Sequence, residues 1–521
     1  AAGAAAYMLT TSAFMIGSNL YSTFDIGGVS NMLATPLLLL SVALYRRSLL
    51  GSAALASAVI LCHFLMPLVL FLWIAVIAAT DFMKGGGRET LLRFGAFLAL
   101  SFLLPAFWLV PTILTFAHLE GHSSHPALAF SLDPLMAALS FVAAGMMMLK
   151  GKWELPLMLI ALALTVSIDT DALPFGLPVF RFAGFYLLVA FMMIGAAAGE
   201  NLPNLAGKAM LLAFILYLAA GMDNALKDSQ SSNLYYSYER NESPFTGYEF
   251  GGMEFAGRTI VYDGEPRPYI HALPFVFAAQ SGMPAVKGLF IEEAPAGQIA
   301  LSYQKEIFPE TFVWVPYLDA REFTGAMDRE AVKFYSDLFW VRGILSTKRL
   351  FLFGEGEKVV AGNRTLFYYR MGNSSLAQAL GKAEPACGDW REFKENWYRK
   401  GNRTIYYLDC GGESLGGNGT VDVLDYRAGS IDIEIEGEEP APVLVKEAYH
   451  PRWRAYDAEG NAIRVYRATP DFMMVVSKGP VRLRYEPQWF DYAGAGLSLT
   501  GAAALLLHRM KASPSAGGRS P

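Results

Sequence analysis

Four acidic residues and one arginine lie near the ends of apolar segments in the first half of this sequence. The acidic residues are Asp25, Glu120, Asp169 and Asp171, and the cation is Arg181. A carboxylate can deprotonate an attacking hydroxyl, and a guanidinium can stabilise a departing phosphate. The four acids are therefore candidates for a catalytic base, and Arg181 is a candidate for binding the lipid phosphate. An interfacial anchor whose charged end reaches water is the favoured interpretation of Arg181.

Three histidines, His118, His122 and His125, lie close to Glu120 in the sequence. His118 and His122 are spaced to share one face of a helix, where they could bind a divalent metal ion. The Gly, Ser and Pro residues around them favour a solvated polar turn instead. A metal site is therefore the weaker interpretation, and no cofactor is firmly predicted. His63, at the end of another apolar run, is a further candidate for substrate binding.

Ten apolar runs must position these residues, in a chain with 53% hydrophobic residues. Each run is near the roughly 20 residues that cross a hydrocarbon core of about 30 Å. The runs cover about 1–16, 29–45, 49–63, 66–82, 94–116, 127–149, 153–168, 180–198, 205–221 and 489–507. A single helix over 49–82 would be about 50 Å long, so we predict a break between His63 and Pro67.

Basic residues support this scheme, because Lys and Arg near the ends of membrane spans stay cytoplasmic. If the runs alternate in direction, the basic residues near their ends fall on one side: Arg46, Arg47, Lys84, Arg88, Arg93, Lys150, Lys152, Lys208, Arg509 and Lys511. The connections on the other side carry almost no Lys or Arg. The polar region between the ninth and tenth runs is then extracytoplasmic, and the C-terminus is cytoplasmic.

The polar region has the pattern of a β domain. Residues 431–436 alternate strictly between apolar and acidic, which predicts a half-buried antiparallel strand. Further strands are predicted at 298–303, 311–317, 365–370, 404–408, 443–446, 463–466, 472–476 and 481–485. One helix is predicted at 328–341. Many short strands favour a β-sandwich or jelly-roll-like unit.

Cysteines and glycosylation sequons bear on the location of this domain. Cys387 and Cys410 lie in it and could form a disulfide outside the cell, although spacing alone leaves free thiols equally open. Asn-x-Ser/Thr sequons occur in the domain at Asn241, Asn363, Asn373, Asn402 and Asn418. None occurs in the first 221 residues. We predict that some are glycosylated if the host modifies exported proteins.

The predicted organisation is a transmembrane helical bundle over 1–221, an extracytoplasmic β-rich domain over 222–487, a last transmembrane helix over 488–508 and a disordered cytoplasmic tail over 509–521. The net charge of −5 comes without a basic stripe, so nucleic-acid binding is not expected. The sequence contains no hydrolase elbow, P-loop, dinucleotide glycine fingerprint or zinc-type cysteine pair. It begins without Met inside an apolar stretch, which predicts a fragment or a trimmed product.

Short motifs resemble known membrane proteins. The segment Val445 to Asn461, followed by Arg482 to Pro487 and a terminal span, resembles the end of the YfhO-like membrane proteins. Leu338 to Leu345 is similar to another landmark of that group. Leu177 to Phe182 and the hairpin around His63 resemble archaeal membrane proteins named for a 6-pyruvoyl-tetrahydropterin-synthase-related domain. Both groups resemble the GT-C superfamily, multi-span glycosyltransferases that use polyprenyl-phosphate sugars and place their catalytic residues in external loops.

The resemblance implies a GT-C-like membrane α-helical bundle of about ten transmembrane helices that carries an extracytoplasmic mainly-β domain. It implies transfer of a hexose-type sugar from a polyprenyl-phosphate donor to a surface glycan or glycoprotein acceptor. The bilayer and the carrier lipid are then partners in the plasma membrane. In GT-C enzymes the acidic motif lies in the first external loop, and this chain starts several helices later. We therefore expect its N-terminal catalytic part to be missing and carry no catalytic residue over.

Two other classes of function remain. A non-enzymatic alternative is a membrane-anchored surface protein whose β domain binds glycans or assembles the envelope, and it would lack an external acidic pair upstream. A transporter is disfavoured, because the runs show no pair of interrupted helices in matching repeats. The segment Trp489 to Gly494 is similar to an acceptor-reading motif of oligosaccharyltransferases. Beside the final span, an aromatic belt is the favoured interpretation of that segment.

Overall fold

The computed structural model of the 521-residue chain describes residues 29–63, 66–115, 134–166, 183–201, 203–215, 249–250, 258–262, 277, 280–281, 329–350, 353, 355–362, 364–372 and 374–512. The chain forms two compact units, with a boundary between Gln488 and Trp489. Among the described residues, the first unit contains the helices before residue 216 and the last helix of the chain. The second unit contains the described strands and two helices.

The helices in chain order are α1 (Val29–Leu44), α2 (Leu49–Cys62), α3 (Met66–Asp81), α4 (Gly87–Leu103), α5 (Ala106–Thr115), α6 (Pro134–Leu149), α7 (Glu154–Val166), α8 (Ala183–Glu200), α9 (Leu205–Ile215), α10 (Arg329–Leu338), α11 (Trp390–Arg399) and α12 (Trp489–Ala512). All but α10 and α11 belong to the first unit. Their buried faces form one apolar core that includes Leu38, Trp73 and Phe191.

Two helical segments of the described residues are long and apolar enough to cross a membrane, by length and composition. They are Met66–Leu103, with a mean hydropathy of 2.0, and Trp489–Leu507, with a mean hydropathy of 1.3. The first segment folds back on itself, because the rings of Phe71 and Phe102 have centroids 5.0 Å apart. A straight helix would separate these residues by about 46 Å. The segment is therefore an antiparallel hairpin of α3 and α4.

Glycine makes the turn of this hairpin. A π-helical turn, Phe82–Gly86, joins the two helices, and Gly85 in it has a φ of 99°. Gly87, the first residue of α4, has a φ of 50°. Residues with a Cβ rarely adopt such positive φ values, so the run of three glycines allows the chain to reverse here.

The predicted break at His63 is confirmed: α2 ends at Cys62 and α3 begins at Met66. The predicted run 94–116 is interrupted, since α4 ends at Leu103 and α5 begins after Pro105. Proline has no backbone N–H to donate and disturbs the preceding turn. The predicted tail at 509–521 begins too early, because α12 continues to Ala512.

The strands of the second unit are β1 (Arg258–Tyr262), β2 (Val341–Ser346), β3 (Glu357–Ala361), β4 (Arg364–Arg370), β5 (Ala377–Ala379), β6 (Lys382–Ala386), β7 (Tyr406–Leu408), β8 (Leu415–Gly416), β9 (Thr420–Arg427), β10 (Ser430–Glu436), β11 (Ala441–Ala448), β12 (Trp453–Tyr456), β13 (Ala462–Ile463), β14 (Tyr466–Ala468), β15 (Phe472–Ser477) and β16 (Gly479–Tyr485). They form sheets of four, five and seven strands. The orders are β1-β2-β4-β3, β13-β12-β16-β10-β9 and β5-β11-β15-β14-β7-β6-β8.

The seven-stranded sheet is buried on both faces around β11 and β15. On one face, Val443 and Val475 pack with Ile433 of the five-stranded sheet. On the other face, Leu444 and Met474 pack in a core shared with α10 and α11. Successive side chains of a strand point to opposite faces, so apolar residues in a row bury both sides. This arrangement is a β-sandwich with helices packed on its second side.

Several predicted elements differ from the observed ones. The alternation at 431–436 is confirmed as β10, which buries Ile431, Ile433 and Ile435. The helix predicted at 328–341 ends at Leu338, and the chain continues as β2 from Val341. A second helix, α11, was not predicted. The strand predicted at 463–466 is split between β13 and β14. The strands predicted at 298–303 and 311–317 lie outside the described residues.

Candidate functional site

Most of the predicted site residues lie outside the part of the chain that the structure describes. These are the acids Asp25, Glu120, Asp169 and Asp171, the cation Arg181, the histidines His118, His122 and His125, and the sequons at Asn241, Asn363 and Asn373. Their roles stay predictions. Among the described residues, no group of three or more His, Cys, Asp or Glu side chains could hold a metal ion.

His63 is described, and it lies at the turn between α2 and α3. Its backbone N–H donates to the carbonyl of Val59 at 3.0 Å, which ends α2. Its Nδ1 accepts a hydrogen bond from the backbone N–H of Met66 at 3.3 Å, at the start of α3. The imidazole therefore helps to cap a helix whose first N–H groups have no partner within the helix. The substrate-binding role of His63 stays a prediction.

Ion pairs gather at the opposite end of the same helices. Arg46, which follows α1, pairs with Asp81 at 2.7 Å and with Glu154 at 2.5 Å. Lys84 lies 3.8 Å from Glu154, and Lys152 lies 2.5 Å from Glu200. The connections after α1, α3, α6 and α8 therefore lie at one end of the first unit. This is the grouping of basic residues that the sequence predicted for the cytoplasmic side.

In the second unit, Cys387 and Cys410 are joined by a disulfide with a sulfur–sulfur distance of 2.05 Å. Two of the sequons are also described. Asn418 is exposed, whereas Asn402 is half-buried and accepts a hydrogen bond on its side-chain oxygen from the N–H of Thr404 at 2.9 Å. Asn418 is therefore the more accessible of these two acceptors.

A buried carboxylate, Asp471, binds three donors at the turn between β14 and β15. It accepts hydrogen bonds from Lys394, Arg467 and, at 2.7 Å, the indole N–H of Trp390. Asp471 is fully buried and Lys394 is 1% exposed. Burial lowers the pKa of Lys394, while the charge of Asp471 partly opposes this shift. The cluster attaches α11 to the central sheet, and a structural role accounts for every one of these contacts.

A second buried amine, Lys446 on β11, lies at the C-terminal end of α10. Its Nζ donates to the backbone carbonyl of Asp337 at 2.7 Å. A cation is stabilised there, because the last carbonyls of a helix are unpaired and carry partial negative charge. Burial nevertheless lowers the pKa of Lys446 to about 8, and Arg258 and Arg342 act in the same direction.

One surface of the second unit combines aromatic and charged side chains. The Arg258 guanidinium lies 5.8 Å from the ring centre of Trp340 and pairs with Glu447 at 3.1 Å. The hydroxyl of Tyr426 also donates to Glu447, at 3.0 Å, and its ring meets that of Trp340 edge-on at 5.9 Å. Aromatic rings beside polar groups are a combination found at binding surfaces. We call these four residues the Trp340 surface.

The sequence analysis did not single out either buried lysine or the Trp340 surface. A signal exists for Lys394, because Trp390, Lys394 and Trp397 share one helical face of α11, and a lysine on an apolar face needs a partner. For the Trp340 surface we find no sequence signal, since its four residues come from separate segments of the chain.

Of the comparisons with known proteins, the one with solved structures finds matches. No protein-family model and no curated protein matches the chain. Among solved structures, the chain is similar to a cryo-EM structure of the arabinofuranosyltransferase AftD from mycobacteria, with 13% identity and a TM-score of 0.37. The match covers 93% of this chain and 48% of that one. A mutant of AftD gives 12% identity, a TM-score of 0.37 and coverage of 93% and 50%. The chain thus spans about half the length of these structures, and no residue role is transferred from them.

Proposed function

We propose that the chain is an integral membrane protein of GT-C-like type that takes part in the transfer of sugars from polyprenyl-phosphate donors to cell-surface glycans. In this proposal the first unit is embedded in the plasma membrane with its ion-paired end in the cytoplasm. The second unit is extracytoplasmic and holds the glycan or glycoprotein acceptor. The C-terminus is cytoplasmic.

The observation that carries the proposal is the placement of charge in the first unit. Apolar helices form reversing hairpins, and the connections that carry Arg46, Lys84 and Lys152 lie together at one end. A bilayer explains this pattern, since hydrocarbon accepts helices whose backbone groups are satisfied internally and water accepts the charged ends. The disulfide in the second unit agrees with an oxidising compartment outside the cytoplasm.

The residues that would carry out the sugar transfer are predicted to lie in external loops. If this chain carries the catalytic base, one of Asp25, Glu120, Asp169 and Asp171 would deprotonate the acceptor hydroxyl, and Arg181 would bind the departing lipid phosphate. A divalent ion held by His118, His122 and His125 is the weaker alternative to a solvated polar turn at these residues. His63 would lie at the same end of the helices.

Transfer assays with the full chain in liposomes test this proposal. Radiolabelled polyprenyl-phosphate sugars serve as donors and surface glycans serve as acceptors, with the variants Asp25→Asn, Glu120→Gln, Asp169→Asn and Asp171→Asn compared one at a time. General-base catalysis contributes about 10²–10⁴-fold, so at least one variant should lower the transfer rate by that factor. Asp425→Asn, at an exposed pair in the second unit, should leave the rate unchanged. Equal rates in all variants would contradict the proposed chemistry.

The Trp340 surface favours a second candidate function, a non-enzymatic surface protein that binds glycans. This candidate predicts glycan binding by the full chain without transfer from any donor. Trp340→Ala and Tyr426→Ala should then weaken glycan binding, and the four carboxylate variants should not. Transfer that depends on one of those carboxylates would exclude this candidate.

A further inference from the structure

Trp340 has a backbone conformation that residues other than glycine rarely adopt. It lies two residues after the end of α10 at Leu338, and its φ is 56°. Glycine is the usual residue in this conformation at the end of a helix, because a Cβ is crowded there. The indole contacts the Arg258 guanidinium and the ring of Tyr426. These contacts offset the cost of a tryptophan at a position that disfavours it.

Two strands are irregular where they carry the charged members of the Trp340 surface. The register of β1 against β2 shifts immediately after Arg258. The register of β11 against β15 shifts between Val445 and Ala448, and Glu447 lies within that shift. A β-bulge changes the direction of the side chains beside it, and bulges are frequent next to active sites. Irregular backbone thus directs both charged side chains.

A third register shift, in β9, decides where the side chain of Tyr426 lies. Val423 faces the core opposite Ile433 of β10. In a regular strand Asp425 would share the face of Val423, because side chains alternate. The shift places Tyr426 on that face instead, opposite the buried Ile431. Each member of the Trp340 surface is thus placed by irregular backbone, which is typical of binding sites.

The polar groups of this surface keep hydrogen-bonding capacity for a ligand. Oε2 of Glu447 accepts from Arg258 at 3.1 Å and from the hydroxyl of Tyr426 at 3.0 Å. Oε1 accepts from the N–H of Ala448 at 3.3 Å. A carboxylate has about four acceptor sites and a guanidinium has several N–H donors, so these bonds leave sites on both groups. Tyr426 is also 42% exposed, which makes its ring accessible.

The charges of the Trp340 surface cancel, because its charged members are Arg258 and Glu447. Of the cations nearby, Arg342 donates to a backbone carbonyl at 2.7 Å. The amine of Lys446 is buried beside Asp337, whose charge opposes its own. A neutral ligand with several hydroxyls fits such a surface better than a charged ligand, which would meet a like charge at one of the two groups.

We propose that the Trp340 surface binds a neutral sugar unit of the acceptor glycan through two adjacent hydroxyls. This site rests on the function proposed above, in which the second unit holds the acceptor. One hydroxyl of the sugar donates to Glu447 and its neighbour accepts from Arg258, since a hydroxyl can do both. The ring of Tyr426 packs on the apolar C–H side of the sugar. Trp340 acts by positioning Arg258.

Binding of the full chain in nanodiscs to an array of oligosaccharides tests this site, with empty nanodiscs as the blank. The array carries neutral pentose and hexose oligosaccharides, their fully O-methylated forms and oligosaccharides of uronic acids. We expect binding to a neutral oligosaccharide and weaker binding, by about tenfold or more, to its methylated form, because hydrogen bonds to charged groups are lost. This comparison uses the wild type alone, so it does not depend on the folding of any variant.

Variants locate the binding on the surface. Glu447→Gln keeps the size of the side chain, removes its charge and should weaken binding of the neutral oligosaccharide by about tenfold. Tyr426→Phe keeps the ring and should weaken binding less than Tyr426→Ala does. Arg427→Gln is the matched control, because Arg427 lies on the same strand as Tyr426 and its side chain is 78% exposed. It should bind as the wild type does, and thermal unfolding checks that each variant is folded.

The outcomes separate this site from the proposed sugar transfer. Sugar transfer by a chain whose Glu447→Gln and Tyr426→Ala variants bind glycans as the wild type does would overturn the site alone. Neutral-sugar binding that these variants lose, in a chain without transfer activity, would support the site and contradict the proposed transfer. Binding confined to uronic acids would overturn the site and assign the surface to an anionic glycan. Binding of no neutral oligosaccharide would also overturn it.

Discussion

Single residues in the second unit combine burial with charge, and Asp471 is the strongest example. Its three donors come from α11 and from β14, so the carboxylate connects elements that are distant in sequence. Removing one partner of a buried ion pair leaves an uncompensated charge. We expect Asp471→Asn to lower the free energy of unfolding by about 3–5 kcal/mol.

Thermal or denaturant unfolding of the full chain in detergent measures this effect. Asp425→Asn is the control, because Asp425 pairs with Arg427 at the surface, where such pairs contribute below about 1 kcal/mol. If the two variants lose the same stability, the Asp471 cluster does not attach α11 in the way the contacts indicate.

The lowered pKa of Lys446 predicts that the stability of the chain depends on pH. Its pKa is lowered from 10.5 to about 8 in the folded chain, mainly by burial. Between these values the unfolded chain binds more protons, so this group makes stability rise as pH increases from about 8 to about 10.5. Below about pH 8, Lys446 is protonated in both the folded and the unfolded chain, so the destabilisation caused by its burial no longer changes with pH.

The comparison of wild type with Lys446→Met isolates this titration, since tyrosines that titrate in the same range are common to both. The wild type should gain about 3 kcal/mol relative to the variant across that interval, as an upper estimate. A constant difference between the two proteins would show that Lys446 keeps an ordinary pKa.

At the scale of elements, α12 packs against the junction of α4 and α5 through small residues. A Cβ on Gly494 would lie 2.5 Å from the carbonyl oxygen of Ala106, and a Cβ on Gly501 would lie 3.0 Å from the Cβ of Leu103. The N–H of Phe107, in the first turn of α5, donates to the hydroxyl of Ser498 at 2.8 Å. Small residues allow helices in membranes to approach closely.

One substitution at two positions of α12 tests this contact. Gly494→Ala should destabilise the first unit by about 1–3 kcal/mol, because backbone atoms must move. Gly496→Ala should be neutral or stabilising by up to about 1 kcal/mol, since its Cβ meets no atom within 4 Å and alanine favours helix. Thermal unfolding in detergent, read by size-exclusion chromatography, compares them. Equal losses of stability in the two variants would show that α12 packs through a different face.

Helices and strands could be predicted from the sequence where they depend on a pattern of neighbouring residues. The alternation at 431–436 and the break at His63 depend on neighbouring residues, and both are observed. Helix α11 was missed because its ten residues are rich in charge, although Trp390, Phe393 and Trp397 recur at helical spacing. The pairing of Lys394 with Asp471 spans 77 residues, and its geometry comes from tertiary packing that no local pattern contains.

At the scale of the whole molecule, the proposal joins a first unit solvated by hydrocarbon to a second unit solvated by water. The first unit has apolar helices whose connections with Arg46, Lys84 and Lys152 lie at one end, and the second has a two-sided β-sandwich with a disulfide. The separation of apolar segments from polar ones could be predicted from composition, because it reflects the free energy of transferring each segment from water to hydrocarbon. The catalytic assignment could not be derived to the same depth, since its candidate residues were placed by sequence in connections between apolar runs, where a local pattern predicts no geometry.

Labelling of single cysteines in right-side-out vesicles tests the topology most directly. In a Cys62→Ala background, Arg427→Cys places a thiol in the second unit and Lys84→Cys places one in the connection between α3 and α4. Both side chains are well exposed, at 78% and 58%. A membrane-impermeant maleimide should label Arg427→Cys in intact vesicles and Lys84→Cys only after lysis. Labelling of Lys84→Cys in intact vesicles, with Arg427→Cys protected until lysis, would contradict the account.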